Sequence, residues 1–334
     1  MLVNQRVLKN VRAIVGLFLI ATLFAAASYA STASAQTATA NTLKISPVRS
    51  DIQIAAGTTG KVDITVTNLT DEDVLVAPIE NDFIQGDENG TPSIILDQNE
   101  FAPTHSLKRF MKPLGNVTVP ANGSAVVSVS ITVPASAQAG GYYGAVRFAP
   151  TTPDGGGQVN LSASVASLIL LTVPGPTTEQ LNLTDFSLQQ GSKSGTDFRT
   201  ANDLKAIFRF ENKGNIQLGP FGKVSVTQGD KLVYDYDFND KNPRDVVLPD
   251  GARKWEVPLK EIGDFGYYTV HATFTYGTEN KSIDVERSFW IIPTSFIILA
   301  IVIVLLLVGA IVGLVLWLKG RRKRAIRRRA GRRR

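Results

Sequence analysis

Residues 117–134 read VTVPANGSAVVSVSITVP, and this stretch sets a pattern that most of the chain repeats. From Ser124 onward apolar and polar side chains alternate, which is typical of a strand with one buried face and one solvated face. The Pro, Asn and Gly before it are residues of tight turns. The stretch therefore predicts two strands of an antiparallel sheet with a turn between them.

Similar segments lie on both sides of this stretch. They are SDIQIAA at 50–56, KVDITVTN at 61–68, an apolar strand at 73–79, GGYYGAVRFAP at 140–150 and a long strand at 159–173. No helical period appears between 43 and 173, and turn residues separate the segments. We therefore predict a first immunoglobulin-like antiparallel β-sandwich within residues 36–175.

One part of this first sandwich is predicted to be irregular. Residues 80–115 contain the turn GDENGTP and the isolated apolar residues Phe101 and Phe110. Binding often resides on long loops that a rigid scaffold carries. Phe101 and Phe110 are therefore candidate binding-loop residues, although both are equally well interpreted as packing anchors of the loop.

The segment Pro174-Gly175-Pro176 is a short, stiff break and predicts a domain boundary. Seven further segments with strand character follow it, with turns every 8–12 residues. They lie at 181–188, 204–211, 222–227, 232–238, 255–259, 267–276 and 282–291. This spacing predicts a second immunoglobulin-like sandwich over residues 176–290.

An internal echo favours two copies of one architecture. VTNLTDEDV at 66–74 pairs with FENKGNIQL at 210–218, and VPANGSAVVSV pairs with LPDGARKWEV. GYYGAVRF at 141–148 pairs with GYYTVHATF at 266–274, and the three pairs occur in the same order. The repetition predicts that equivalent turns and strands recur in the two sandwiches.

The residues Asp264, Gly266 and Tyr268 follow the D-x-G-x-Y pattern of a tyrosine corner. In such a corner the tyrosine hydroxyl bonds to upstream backbone and holds a connection between the two sheets. The alternative function of these tyrosines is a platform on which a sugar ring stacks. The pattern favours the structural interpretation.

A stretch of 22 residues without charge, 297–318, predicts a single membrane-spanning helix within residues 291–318. As a helix it is about 33 Å long, enough to cross a hydrocarbon core of about 30 Å. Trp290 and Trp317 lie near its ends, where they are expected to act as membrane-interface anchors. The basic tail 319–334 includes Arg321, Arg322, Lys323 and Arg324, which predicts a cytoplasmic C-terminus and an exported body.

Charge is distributed unevenly along the chain. Residues 1–35 combine a basic start, an apolar run and Ala33-Ser34-Ala35, so they are predicted to be a secretory signal peptide. Residues 36–290 hold 21 Lys and Arg against 29 Asp and Glu, a net charge of −8. The excess of basic residues thus lies in the end segments, and the acidic body is not expected to bind nucleic acid.

The sequence contains no arrangement that predicts catalysis or a cofactor. It has no cysteine, which fits a bacterial surface protein that does without disulfides, and only two histidines, His105 and His271. The run beginning at Asp235 resembles D-x-D-x-N of a calcium loop, but Asp240 stands where that loop needs glycine. A strand with one wet face is the favoured interpretation of this run.

The order of these parts resembles the WxL-interacting proteins of Gram-positive bacteria, a family with a DUF916 and DUF3324 domain pair. The resemblance is best in HSLKRFMKPLGNVTVPANGSAVVSVSITVPASAQAGGYYGAVRF at 105–148, with SPVR near Ser46 and VTNLTDEDV also matching. It covers residues 42–175 well and 176–290 in architecture only. It implies peptidoglycan association for the first domain, protein partners for the second, and no catalytic residues.

The function expected from the sequence is therefore that of a non-enzymatic bacterial cell-surface protein for binding or adhesion. It is expected in the plasma membrane, crossing it once, with peptidoglycan and other surface proteins as partners. The main alternative is an accessory subunit of a membrane export or surface-assembly complex. A wall-active hydrolase is a third hypothesis, which lacks a recognisable acid and base pair.

Overall fold

The computed structural model describes residues 42–151 and 164–330, with side chains up to Lys319. The predicted signal peptide, 1–35, lies outside the described residues. From Leu43 onward the chain forms one compact unit. Its strands build two β-sandwiches, which we call the first and the second sandwich, and an apolar helix follows them.

Nine strands of the described chain belong to the first sandwich. They are β1 (Leu43–Ser46), β2 (Arg49–Gln53), β3 (Thr59–Asn68), β4 (Val74–Gln85), β5 (Pro92–Ile94), β6 (Val117–Val119), β7 (Ser124–Thr132), β8 (Gly140–Thr151) and β9 (Val165–Val173). One sheet has the order β1-β3-β7, and the other has the order β2-β9-β8-β4-β5 with β6 beside β4. All pairings are antiparallel except that of β2 with β9.

Strand β4 extends six residues beyond its predicted end at residue 79, into the segment that was expected to be irregular. The prediction fails there because Glu80, Asn81 and Asp82 are polar residues of the kind that rarely lie inside a protein. Here they have partners: the Asn81 side-chain amide donates to the carbonyl oxygen of Ile95 at 2.8 Å, although its Oδ1 has no partner, and Glu80 accepts from the Leu114 amide at 2.6 Å. Only tertiary partners make this polar run compatible with a strand.

The second sandwich contains the remaining strands of the described chain. They are β10 (Leu181–Gln190), β11 (Lys193–Ser194), β12 (Asp197–Phe198), β13 (Leu204–Asn212), β14 (Phe221–Gln228), β15 (Lys231–Phe238), β16 (Ala252–Pro258), β17 (Gly266–Tyr276) and β18 (Lys281–Ile291). Its sheets have the orders β11-β10-β13-β16 and β12-β18-β17-β14-β15. The prediction of an all-β body built of immunoglobulin-like sandwiches is confirmed.

Each sandwich has its own hydrophobic core. The second core is rich in aromatic rings that meet edge to face, with Phe208 at 4.9 Å and Phe210 at 5.0 Å from Phe274, measured between ring centroids. All three side chains are fully buried. Burying one such ring contributes roughly 1.5–3 kcal/mol of hydrophobic stabilisation. The alternation seen in the sequence places these rings on the inner faces of β13 and β17.

The echo between the two halves has a physical basis in two buried asparagines, Asn68 and Asn212. The Asn68 amide donates to the carbonyl oxygens of Glu72, Val119 and Pro120, and its Oδ1 accepts from the Thr70 amide. Asn212 does the same with Ile216, Val247 and the Gly214 amide. In each sandwich one side chain thus joins the end of a long strand to a Pro/Gly turn elsewhere in the chain.

Two residues separate the end of β18 at Ile291 from the start of helix α1 (Thr294–Ala330). Within its apolar part, Thr294–Lys319, the most apolar 18 residues have a mean hydropathy of 3.4 and are not buried against the body. This part is long and apolar enough to span a membrane, as the sequence predicted. Ile291, which was assigned to the membrane segment, is instead a buried strand residue of the second sandwich.

Candidate binding site between the two sandwiches

The tip of the β4–β5 hairpin, residues 86–91 of the predicted turn GDENGTP, contacts the second sandwich. Glu88 lies at this tip and accepts from Arg209 of β13, with its Oε1 at 2.9 Å from Nε and 2.8 Å from Nη2. The Lys254 amide donates to the Glu88 carbonyl oxygen. The Arg209 guanidinium lowers the pKa of Glu88, and Lys254 adds to this effect. The hairpin thus joins the two sandwiches through both side chain and backbone.

Asp87 gives the hairpin tip its shape. Its Oδ1 accepts from the amides of Asn89 and Thr91 at 2.9 Å each. These bonds lower the pKa of the Asp87 carboxyl, with the bond from Thr91 having the largest effect. Because the carboxylate closes the turn from inside, the tip presents Glu88 and Gly90 to the second sandwich.

A second group of polar contacts joins strand β8 to the segment between β13 and β14. The Tyr143 hydroxyl donates to Oε1 of Gln217 at 2.8 Å, and Gln217 Nε2 donates to the Thr172 hydroxyl at 3.1 Å. Asn215 accepts from the Gly141 amide through its carbonyl and donates to the Ala139 carbonyl through its side chain. Burial raises the pKa of the Tyr143 hydroxyl, so it remains a donor.

Between these contacts lies a small apolar cluster that both sandwiches share. Its buried members are Phe83, Tyr143, Ala145, Leu170 and Leu248. The Phe83 and Tyr143 rings meet edge to face with centroids 6.0 Å apart. Apolar burial together with directional hydrogen bonds holds the sandwiches in one relative orientation, as neither contact alone would.

Beside this cluster the sandwiches leave a cleft of about 260 Å³. Its apolar walls come from both sandwiches and include Phe83, Leu168, Leu170, Val246 and Leu248. Its charged residues are Arg49, Asp245 and Arg253. A concave apolar surface with a few polar groups is the common form of a binding site, and this cleft is the candidate functional site.

The two arginines of the cleft are held by defined partners. Arg49 donates from Nε to Asp51 Oδ1 at 2.9 Å and from Nη1 to the Arg244 carbonyl at 2.9 Å, so it also bridges the sandwiches. Arg253 pairs with Asp245 at 3.2 Å. Burial alone would raise the pKa of Asp245, but Lys241 and Arg253 outweigh it and the pKa lies below its ordinary value. Asp245 therefore stays charged beside Lys241 and Arg253.

The predicted binding-loop residues Phe101 and Phe110 do not line this cleft, and the two rings have different neighbours. Phe101 is 39% exposed, with Lys108 Nζ at 4.9 Å and Arg109 Cζ at 4.5 Å from its ring centroid. Phe110 instead packs against Tyr142, with ring centroids 4.8 Å apart, beside the first core. Phe110 is thus a packing residue, and Phe101 remains a surface residue under two cations.

The loop that carries Phe101 is held by a buried carboxylate, Asp82. Its Oδ2 accepts from the Ala102 amide at 2.9 Å and its Oδ1 from the Lys108 amide at 2.8 Å. His105, with φ of +58°, lies between them, and its Nδ1 is 2.6 Å from the Gly141 carbonyl oxygen. The loop is therefore fastened to strands β4 and β8, which gives His105 a structural contact.

The predicted tyrosine corner has the following geometry. The Tyr268 hydroxyl donates to the carbonyl oxygens of Gly263 at 3.3 Å and Phe265 at 3.2 Å, and its side chain is buried. Gly266 has φ of +149°, in the region that favours glycine. Asp264 is exposed beside them. The hydroxyl thus binds upstream backbone of the same loop.

The predicted interface anchors lie at the two ends of the apolar segment. Trp290 is 43% exposed near the end of β18, and its ring centroid is 4.9 Å from that of Tyr267. Trp317 is 51% exposed in α1. The tail residues Arg321, Arg322, Lys323 and Arg324 continue the same helix.

Asp235 and Asp237 of the acidic run that resembles a calcium loop lie in β15, and Asp240 follows the strand. Lys223 of the neighbouring β14 binds Asp235 at 2.6 Å and lies 3.7 Å from Asp237. These two acids therefore form cross-strand ion pairs on the exposed face of a sheet. In the part of the chain that the structure describes, no group of three or more His, Asp and Glu residues is arranged to hold a metal ion.

Sequence reasoning did not identify the cleft. Its residues come from strands or turns far apart in the chain, and most are ordinary strand residues when considered singly. The acidic tip of the turn GDENGTP was a signal, since a charged Glu88 in a hairpin turn is available to a partner. Nothing in the sequence indicated that the partner is Arg209 of the same chain.

No protein-family model and no curated protein sequence matches the chain. Several solved structures are similar to it at low sequence identity. A class 5 fimbriae chaperone, CfaA, is 12% identical, with 74% of this chain and 98% of that chain covered and a TM-score of 0.37. The Pseudomonas aeruginosa CupB2 chaperone is 9% identical, with 74% and 100% covered and a TM-score of 0.34. A Salmonella enterica SafB chaperone in complex with SafA pilin gives 13% identity, 75% and 95% coverage and a TM-score of 0.32.

Proposed function

We propose that this chain is a membrane-anchored, non-enzymatic binding protein of a bacterial cell surface. The observation that carries the proposal is the cleft of about 260 Å³ between two sandwiches that are held in one orientation. The apolar helix that follows β18 provides the anchor. The body is long enough to hold the cleft away from the membrane, because β17 alone, with 11 residues, extends roughly 35 Å.

The cleft is suited to side chains of a protein partner. Ligand pockets for drug-sized molecules commonly have volumes of roughly 300–1,000 Å³, so a cleft of about 260 Å³ is smaller than these and suits a few side chains of an extended segment. Its walls include the apolar residues Phe83, Leu168 and Leu248. Each cleft arginine is already paired with a carboxylate, Arg49 with Asp51 and Arg253 with Asp245, so these charges balance. An apolar segment is therefore the partner chemistry that we propose.

Photo-crosslinking in cells tests this proposal. A benzoylphenylalanine at Val48, which lines the cleft and is 64% exposed, is expected to form a discrete crosslinked product. The same group at Leu69, which is 54% exposed in the first sandwich but away from the cleft, is the matched control. Identical crosslinking patterns from the two positions would contradict a partner in the cleft.

The side of the membrane on which the body lies is a second part of the proposal. The eleven Lys and Arg residues after Leu318 favour a cytoplasmic C-terminus. Because the chain has no cysteine, Leu232→Cys in the exposed β15 and Ala330→Cys in the tail can each be labelled singly. An impermeant maleimide added to intact cells is expected to label the first and spare the second. Labelling of Ala330→Cys but not of Leu232→Cys would show that the C-terminus is outside the cell and the body inside.

Peptidoglycan association of the first sandwich is the finer part of the proposal, and it is supported by the family resemblance of residues 42–175. The full chain in detergent is expected to sediment with purified sacculi, whereas an unrelated single-span protein stays in the supernatant. If the chain also stays in the supernatant, peptidoglycan binding by the first sandwich is rejected. A protein partner in the cleft would be unaffected by that result.

An accessory role in an export or surface-assembly complex is the alternative. The feature on which it depends is the apolar surface of α1, which is not buried against the sandwiches and in a membrane faces lipid or other helices. Such a surface is available to neighbouring membrane helices. Replacing residues 297–318 with an unrelated span of equal length should abolish function in this case and preserve it for a binding protein.

A further inference from the structure

Four exposed aromatic side chains meet where the second sandwich joins α1. Phe265 is 50%, Tyr267 46%, Trp290 43% and Phe296 49% exposed. Phe265 belongs to the loop before β17, Tyr267 and Trp290 to β17 and β18, and Phe296 to the first turn of α1. We call these four residues the basal aromatic patch.

The patch consists of two ring pairs. The Phe265 and Phe296 rings stack at 4.8 Å between centroids with an interplanar angle of 13°. Tyr267 and Trp290 are register partners across β17 and β18, and their centroids are 4.9 Å apart. The first pair joins the sandwich to the helix, so the depth of one ring in a membrane sets the depth of the other.

The surrounding fold holds these rings outward. In β17 the side chains of Tyr268, Val270 and Ala272 face the core, so the neighbouring Tyr267 faces solvent. The Tyr268 hydroxyl bonds to the carbonyl oxygen of Phe265 and thereby fixes the loop that presents the Phe265 ring. Because the backbone that carries them is held in place, the Phe265 and Tyr267 rings point away from the core of the second sandwich.

Charge at this end of the sandwich does not favour electrostatic attraction to anionic lipid. The three connections at this end are 190–204, which includes the short strands β11 and β12, 228–231 and 259–266. Together they contain four basic and five acidic residues. The basic residues are Lys193, Arg199, Lys231 and Lys260, and the acidic ones are Asp197, Asp203, Asp230, Glu261 and Asp264. Any attraction to a bilayer must therefore come from the aromatic rings.

The length of α1 places the patch at the membrane surface. The apolar part has 26 residues, or about 39 Å as a helix, against a hydrocarbon core of about 30 Å. Its ends therefore extend beyond the hydrocarbon, and Phe296, the third residue of α1, lies at headgroup depth. Phe265 is stacked on Phe296. The neighbouring Tyr267 and Trp290 rings each combine an apolar body with a polar group, and such rings favour this depth.

We propose that the basal aromatic patch inserts among the lipid headgroups, so that the second sandwich is seated on the bilayer rather than tethered loosely above it. The partner is a phospholipid bilayer without preference for a particular headgroup charge. This inference rests on the proposed membrane anchoring by α1. It adds a second membrane contact, made by Phe265 and Tyr267 of the sandwich itself.

The test uses full-length protein in phosphatidylcholine vesicles, with single cysteines carrying an NBD fluorophore. Asp264→Cys reports on the patch, Leu69→Cys on the first sandwich and Leu305→Cys on the middle of α1. Lipids carry a nitroxide either on the headgroup or deep in the acyl chain. We expect the headgroup nitroxide to quench the label at 264, the deep nitroxide to quench that at 305, and neither to quench that at 69.

Quenching at 264 no stronger than at 69, with 305 still quenched from the acyl chain, would overturn the seating of the sandwich and leave the membrane anchor intact. Loss of quenching at 305 would instead overturn the anchor on which the inference rests. These two failures are therefore distinguishable.

A second variant tests whether quenching at 264 depends on the aromatic rings or only on the closeness of this loop to the membrane helix. Adding F265S and Y267S to the 264-labelled chain is expected to reduce quenching by the headgroup nitroxide, since both side chains are exposed and the core is unchanged. The matched control adds L69S and V126S, which remove two exposed apolar side chains of the first sandwich. Unchanged quenching after F265S and Y267S would overturn the role of the rings.

Discussion

Gly90, at the tip of the β4–β5 hairpin, lies directly against the guanidinium group of Arg253 in the second sandwich. Gly90 has φ of +90°, and a Cβ at this position would overlap Cζ, Nε and Nη1 of Arg253. Gly90 thus lies at the contact between the hairpin and the second sandwich, next to the Glu88–Arg209 ion pair.

Gly90→Ala is expected to lower the free energy of unfolding by roughly 2–3 kcal/mol, because backbone strain and the overlap with Arg253 add together. Gly229→Ala is the matched control: its φ is +59°, and nothing lies within 4 Å of a Cβ there. Urea denaturation of both variants in detergent measures the difference. Equal losses would show that the approach to Arg253 is unimportant.

Glu88→Gln is expected to remove a pH-dependent part of the stability. The pKa of Glu88 in the fold lies below its ordinary value of 4.5, so its ion pairs stabilise the fold above that pH. This contribution is lost as the pH falls through the lowered pKa. Because Glu88 is 43% exposed and screened, we expect about 0.5 kcal/mol at pH 7.

The measurement for this variant is the unfolding free energy from pH 7 down to strongly acidic solution. The difference between the wild type and Glu88→Gln should shrink as the pH falls. Glu72→Gln, on the exposed surface of the first sandwich, is the control and should show no such trend. If the difference in unfolding free energy between the wild type and Glu88→Gln does not change with pH, the ion pair of Glu88 is not its cause.

Asn68→Ala and Asn212→Ala are each expected to cost roughly 2–3 kcal/mol, since each leaves several buried backbone groups without partners. Exposed Asn116→Ala is the control and should change stability by less than about 0.5 kcal/mol. Thermal unfolding followed by circular dichroism measures all three. If only one of the two asparagines matters, the two turns are not energetically equivalent.

Tyr143→Phe removes the hydroxyl that donates to Gln217 across the sandwich interface, and we expect a loss of about 1 kcal/mol near neutral pH. Tyr142→Phe is its neighbour control, because the Tyr142 hydroxyl bonds only to the exposed carbonyl of Gln138 within the same sandwich. A smaller effect from Tyr143 than from Tyr142 would contradict an interface role.

Tyr143→Phe is also expected to change how the unfolding free energy depends on pH in alkaline solution. Burial raises the pKa of Tyr143, so the folded chain keeps a proton that the unfolded chain loses above its ordinary value of 10.0. Stability must therefore fall as the pH rises past 10. Tyr143→Phe should show a shallower fall than the wild type, and parallel pH profiles would count against this explanation.

Much of the fold was predictable because its strands alternate between apolar and polar residues over long distances. The alternation of Ser124–Thr132 and of Gly266–Tyr276 reflects one core face, and this needs no knowledge of partners. Strand β4 was truncated in the prediction because Glu80, Asn81 and Asp82 read as a loop. The burial of Asp82, for example, depends on the Ala102 and Lys108 amides, which lie 20 and 26 residues further along the chain.

The GYY echo illustrates a related limit. Aligned on these three letters, Tyr143 would match Tyr268, since both end the motif. In the structure Tyr142 faces the first core, as Tyr268 faces the second, while Tyr143 turns toward the second sandwich. A shift of one residue along a strand moves a side chain to the opposite face, and a repeated motif cannot reveal such a shift.

The sequence by itself determined the classes of structure: strands from period-two alternation, turns from Pro, Gly and Asn, and a membrane-length helix from an uncharged stretch. These are local properties, and each is decided within a few residues of the chain. The tertiary structure alone decided that Glu88 meets Arg209, that Gly90 faces Arg253 and that a cleft lies beside them. Such contacts join residues more than a hundred positions apart, and only the packing of the two sandwiches brings them together.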